Sequence, residues 1–194
     1  VVTTDTILTS SNIPEDEYPA WVSGTSYTAL DKVIYEHKIY ERIVTGAGTT
    51  TPDLDQINWL DSGYTNRYRM FDNIISSVSS RTGGIEFTLT PNQVINGIAL
   101  LNVNASTVRV VMNDPIEGVV YDRTKELRSS SNVIDYYSYF FAPLINLGDL
   151  DTAIFLDLPN KPTATITVYV SSGVGLVEVG EVVYGVQSIV GRTN

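Results

Sequence analysis

Cysteine is absent from the 194 residues, and histidine occurs once, at His37. Without thiols there is neither a disulfide framework nor a thiolate metal site, and any acid–base relay needing an imidazole would rest on His37 alone. Basic residues are also scarce. Twelve Lys and Arg face 22 Asp and Glu, a net charge of −10, which excludes an extended grip on nucleic-acid phosphates. Charged residues make up only 18% of the chain, so wide, weakly charged surfaces are left for partners. No apolar run approaches the length of a membrane span, and no basic-then-apolar leader opens the chain. Gly173 and Gly175 follow a strand, but no capped helix follows them, so a phosphate loop is not indicated. Asp53, Asp55 and Asp61, and separately Asp149 and Asp151, read as loop charge, since no convergent spacing suits a pair of catalytic carboxylates. Glu15, Asp16 and Glu17 read as a solvated stretch. These absences predict a protein without enzymatic activity, cofactor or metal site.

What is present is β-forming. Hydrophobic residues reach 43% and aromatics 10%, with 12 Tyr against 5 Phe; Tyr suits interfaces because its body is apolar and its tip polar. Ile85, Phe87 and Leu89 alternate with Glu86, Thr88 and Thr90, the period of a half-buried strand. Strand-like runs recur at Ile98–Val103, Thr107–Met112, Val119–Tyr121, Ala153–Leu158 and Ala164–Val170. Asp135 to Phe141 is aromatic-rich, and Leu176 to Val190 reads as strand or short helix. Turn signals such as Asn113-Asp114-Pro115 separate the runs, a pattern that predicts an antiparallel sandwich. The run from Val94 to Val110 resembles the early strands of galactose-binding-like jelly rolls. The predicted fold class is all-β. An extended arm covers residues 1–17, with the means to add to a neighbour's sheet edge. A small aromatic-rich module with its connecting segment covers 18–80, and a β-sandwich covers 81–194.

The module carries an ordered set of aromatics: Trp21, Gly24-Thr25, Tyr27, Asp31, Val33, Tyr35, Lys38, Tyr40, Pro52 and Trp59. Residues two apart in a strand share a face, so Val33 and Tyr35 lie together, as do Tyr40 and Arg42. Glu36, His37 and Lys38 read as the hairpin turn between them, and His37 as a solvated turn residue. This pattern resembles the chitin-binding carbohydrate-binding modules of families five and twelve over residues 18 to 60. It departs from them in having Leu30, not Gly, before Asp31. The resemblance implies that Trp21, Tyr40 and Trp59 stack on sugar rings. The alternative reading of these three is that they pack the small core of the module or a contact between subunits.

The stretch from Trp59 to Asp72, W-L-D-S-G-Y-T-N-R-Y-R-M-F-D, resembles a segment of tailed-bacteriophage virion proteins, in which such a module precedes a second β domain. That resemblance implies a structural component of tail, neck or collar. It would be assembled in the host cytoplasm, contact other virion proteins, and form a homo-oligomeric symmetric ring. Arg67 and Arg69 are then expected to hold the two domains together, since Arg suits planar bidentate pairing. A glycan-binding module of a phage adhesion device, or of a secreted polysaccharide-binding protein, is the competing reading.

Overall fold

Alternating apolar and polar positions build two facing antiparallel sheets. The structure is a computed structural model that describes residues 6–128, 136–141 and 150–187. One sheet has five strands, in the order β1 (Leu8–Ser11), β8 (Ile85–Leu89), β13 (Thr165–Ser171), β10 (Thr107–Asp114) and β11 (Gly118–Glu126). The other has four: β12 (Thr152–Phe155), β9 (Gly97–Asn104), β14 (Leu176–Gly185) and β7 (Ser79–Thr82). Period-two patterning explains the core. Phe87, Val110 and Val168, mutually in register across the five-stranded sheet, are fully buried, and they face Leu100, Val177 and Val179 of the four-stranded sheet. In β9 the alternation breaks at Asn102, whose φ is 52°, although the register with β14 runs through unshifted; Ile98 and Leu100 point inward before it, and Val103 after it. Gly180 lies across from Asn102, where a Cβ would sit 2.5 Å from Ile75 O and 2.7 Å from the Asn102 Cβ.

The small module is a three-stranded sheet, β3 (Lys32–Tyr35), β4 (Lys38–Arg42) and β6 (Trp59–Tyr64), beside the short pair β2 (Ser26–Tyr27) and β5 (Gly46–Ala47). Tyr35 pairs directly with Lys38, so the hairpin turn is Glu36-His37 alone, with φ of 46° and 65°. Two consecutive positive φ values twist the turn in the sense the strands need. Lys38 belongs to the strand and not to the turn.

Several expectations change. Residues 8–11 of the predicted arm pair with β8 of their own sandwich, Leu8 opposite Leu89 and Ser11 opposite Phe87, so the arm closes an edge at home instead of a neighbour's. The module is therefore inserted after the first strand of the sandwich and does not simply precede it. The chain returns to the sandwich before residue 81: Tyr68, Met70 and Phe71 lie in its core, and β7 pairs with β14. The strand expected over Val119–Tyr121 extends to nine residues. Tyr136–Phe141 forms a short helix, not a strand. Leu176–Gly185 is strand; Ser188, Ile189 and Val190 lie outside the described residues, as do Asp135 and Asp149.

The segment from Trp59 to Asp72 is the joint between module and sandwich. Asn66 Nδ2 donates to Ser80 O and Asn66 Oδ1 accepts from Ser80 N, both at 2.8 Å. Thr65 Oγ1 donates to Glu15 Oε1 at 2.6 Å, and Arg67 Nε donates to Ile13 O at 2.6 Å. The Met70 N–H donates to Ser79 Oγ, and the Phe71 ring meets Phe87 edge-on at 5.7 Å. Asp72 Oδ1 accepts from the Ile74 N–H and ends the segment.

Candidate functional site

On one face of the module, Val33, Tyr40 and Trp59 form a small buried core, with Trp21, Tyr27 and Tyr35 packed around it. Trp59 is 3% exposed and Tyr40 5%. The Arg42 guanidinium lies 4.9 Å from the Trp59 ring, and the Tyr27 ring meets it edge-on at 5.2 Å. Arg42 is itself buried, its Nε donating to Val44 O and its Nη2 to Gly46 O. A stacking platform must leave at least one flat face open to solvent, and Trp59, 3% exposed, packs its indole against Arg42 and Tyr27 instead. Of the three aromatics the sequence singles out, only Trp21 is half exposed. It meets Tyr35, also half exposed, edge-on at 5.5 Å, and its backbone N–H donates to Ile34 O at 2.9 Å. The structure thus pairs Trp21 with Tyr35, which the resemblance does not place among the stacking residues.

Beside these rings is a groove of about 480 Å³, lined by Lys38, Tyr40, Pro52, Asp53, Gln56, Trp59, Leu60 and Asp61. Tyr35 lies directly across the strand pair from Lys38, which lines the groove, and Trp21 and Tyr35 pack on the small core whose Tyr40 and Trp59 also line it. Lys38 Nζ donates to Asp61 Oδ2 at 2.7 Å, and that hydrogen bond raises the Lys38 pKa. Burial works to raise the Asp61 carboxyl, but the hydrogen bonds from Lys38 and from the Gly63 N–H outweigh it and hold it below the usual range. Burial, reinforced by the Asp61 charge, pushes the Tyr40 phenol up, so its O–H stays protonated and able to donate. Asp53 brings a carboxylate whose Oδ1 accepts no hydrogen bond from the described residues. The groove therefore offers an amide, a phenol, an ion pair and a second carboxylate beside the small core that also carries the Trp21 and Tyr35 rings. Such a set can exchange hydrogen bonds with a polyhydroxylated ligand whose apolar face rests on the rings.

The acidic residues are local turn and pair formers. Asp55 takes both its hydrogen bonds from Asn58 Nδ2 at 2.9 Å, and Asp61 serves Lys38 and Gly63. Glu15 is not a solvated arm residue: its side chain is 16% exposed and its carboxylate meets His37 Nδ1 at 3.0 Å, Thr65 Oγ1 and Arg67 Nη1. His37 in turn stacks on Tyr68 at 4.1 Å, so the turn histidine is a joint residue. Arg67 fastens the loop that leaves β1 to the joint. Arg69, beside the Met70 and Phe71 that enter the sandwich core, donates from Nε to Tyr64 O at the end of β6, at 3.2 Å. Among the described residues, no group of three or more His, Asp or Glu is placed to hold a metal ion, and no helix is long and apolar enough to cross a membrane.

No family model matches the chain, and no curated protein matches it. Among solved structures, it is similar to an F5/8 type C domain from Bacteroides fragilis (11% identity, TM-score 0.39, covering 62% of this chain and 80% of that one). It is also similar to a fucose binding module of Streptococcus pneumoniae (13%, TM-score 0.42, 62% and 82%). A third likeness is to the lectin domain of lectinolysin complexed with Lewis B antigen (11%, TM-score 0.42, 62% and 84%). Likeness at this level carries no argument about function; the all-β sandwich stands on its own sheets and register.

Proposed function

We propose that the chain is a non-catalytic saccharide-binding protein that takes a neutral oligosaccharide on the aromatic face of its inserted module. Trp21 and Tyr35 supply the apolar surface for a sugar ring. Tyr40, Asp53, Gln56 and Asp61 supply acceptors and donors for its hydroxyls. The observation that carries this reading is the groove of about 480 Å³ lined by Tyr40 and Trp59, beside the small core on which the half-exposed Trp21–Tyr35 pair packs. Its mixture of polar atoms and rings is what a sugar needs, since each ring has an apolar face and a polar rim. A glycan array probed with the whole chain and with Trp21→Ala, Tyr35→Ala and Gln56→Ala tests it. Retention of at least one neutral oligosaccharide, lost in these variants without loss of folding, is expected. Retention unchanged in all three variants refutes the reading.

A second reading, a component of a tailed-phage virion, is favoured by the resemblance over Trp59–Asp72 and by apolar side chains bare on the module. Leu54, Ile57 and Leu60 are 76%, 83% and 55% exposed, and clustered apolar side chains mark contact surfaces. The joint accounts for the buried and hydrogen-bonded positions of that stretch by architecture alone, so the resemblance by itself does not require a virion. Light scattering of the purified chain tests this reading. A closed ring that Leu54→Asp and Ile57→Asp disperse supports it, and a monomer at all concentrations counts against ring formation.

A further inference from the structure

On the opposite face of the same three-stranded sheet, where Lys32 and Ile39 alternate with Val33 and Tyr40, the module and the sandwich enclose a second cavity of about 280 Å³. Tyr18, Lys32, Ser62, Arg69 and Ser80 line it, together with Glu17. Arg69 Nε is anchored on Tyr64 O at 3.2 Å, and its two terminal nitrogens donate to nothing among the described residues. Ser62 Oγ and Ser80 Oγ have no hydrogen-bond partner among the described residues either. Lys32 Nζ stands 3.5 Å from Glu41 Oε2 and 5.7 Å from the centre of the Tyr18 ring. Glu17 is the opposing charge, but its Oε1 is already taken by the Asn66 N–H at 2.6 Å.

A guanidinium held at Nε, with its terminal nitrogens unused, is a preset fork for a planar oxyanion. Two idle hydroxyls and an ammonium within the same cavity add donors of the matching sense. The Tyr18 ring supplies a flat apolar wall. Two cations and two hydroxyls thus turn into one cleft of a chain of net charge −10, with Glu17 and the Glu41 partner of Lys32 as the opposing charges.

We propose that this cleft is an oxyanion site that takes the carboxylate of an acidic saccharide. Arg69 is the bidentate donor, Ser62 and Ser80 are secondary donors, Lys32 provides charge, and Tyr18 lies against the sugar ring. The oxyanion site is separate from the groove and does not depend on it; only the saccharide as carrier rests on the function proposed above. The test is a titration of the whole chain, followed by NMR at the Arg69 Nε–H and Ser80 N–H, with glucuronate, inorganic sulfate and glucose. Glucuronate is expected to bind more tightly than sulfate and to shift both signals, with glucose shifting neither. Arg69→Gln should weaken glucuronate by roughly tenfold or more, and Arg69→Lys, which keeps the charge but loses the fork, should not restore it. Tyr18→Ala, at an exposed side chain, should weaken glucuronate and leave sulfate unchanged, and serves if Arg69→Gln fails to fold. A glucuronate affinity unchanged by Arg69→Gln, or equal binding of glucose, overturns the site. Sulfate binding as tightly as glucuronate overturns the saccharide assignment.

Discussion

Replacing Trp59 by Ala removes the largest side chain of the module's own core. With 3% of its surface exposed, Trp59 buries about 150–250 Å², worth about 4–6 kcal/mol at about 25 cal/mol per Å² as an upper value. Truncations of buried Trp or Phe cost about 3–5 kcal/mol. The Arg42 guanidinium stacked on the ring adds to the loss, because it remains buried with its π partner gone. Only Val33, Tyr40 and Trp59 form the fully buried part of this core, so the module has little to fall back on and should open locally while the sandwich stays folded. Trp21 is then the sole indole left and reports on the module by its fluorescence. The assay is denaturant unfolding of Trp59→Ala read at Trp21, with hydrogen exchange at β3, β4 and β6 against β8 and β13. Early loss of the Trp21 signal, with fast exchange in the module strands and unchanged protection in β8 and β13, is expected. An unfolding midpoint equal to that of the parent chain would show that Trp59 does not hold the module, and the packing argument would fall.

Four further outcomes follow from the same geometry. Gly180→Ala should destabilise the sandwich by roughly 1–3 kcal/mol through overpacking, because backbone Ile75 O stands 2.5 Å from the new Cβ; calorimetry showing no drop in Tm would refute it. Glu15→Gln should loosen the joint, since Thr65, His37 and Arg67 share that carboxylate; faster exchange at the Thr65 N–H is the readout, and unaltered protection contradicts it. Asp61 has a folded pKa below its unfolded value, so its stabilising contribution is present above the unfolded value and fades as pH falls through the folded one; the Tm gap between the parent chain and Asp61→Asn should narrow on acidification, and a gap that widens reverses the sign. Tyr40→Phe should keep the fold, the ring being the buried part, and weaken saccharide binding by losing one donor; undiminished binding removes Tyr40 from the site.

The strands were legible wherever burial is one-sided. Ile85, Phe87 and Leu89, and Ile166, Val168 and Val170, alternate with polar neighbours, and each points inward. What local pattern does not carry is partnership over distance. Leu8 to Ser11 look like part of a polar arm because a four-residue edge strand buries only one large side chain, Leu8; its partner β8 lies far along the chain. The joint was hidden for the same reason: nothing near Asn66 announces Ser80, and Glu15 meets His37 only because the hairpin turn folds back on the chain entering the module. The Glu36-His37 turn lacks glycine, and its paired positive φ values follow from the two-residue connection between strands. The candidate site was half visible. The spacing exposed Trp21, Tyr40 and Trp59, but which of them is left open depends on where Arg42 and Tyr27 pack. Tyr35 could be read from its phase with Val33, whereas Asp53 and Gln56 enter through a loop of no fixed period.

The most direct test of the central claim is a titration of the isotopically labelled chain with a panel of neutral oligosaccharides, read at every assigned backbone amide and at both indole N–H groups. Shifts confined to the module around Trp21, Tyr35, Lys38, Tyr40, Asp53, Gln56 and Asp61, saturating with one affinity, are the predicted result. Shifts that map to the sandwich and spare the module, or none for any oligosaccharide in the panel, would contradict it.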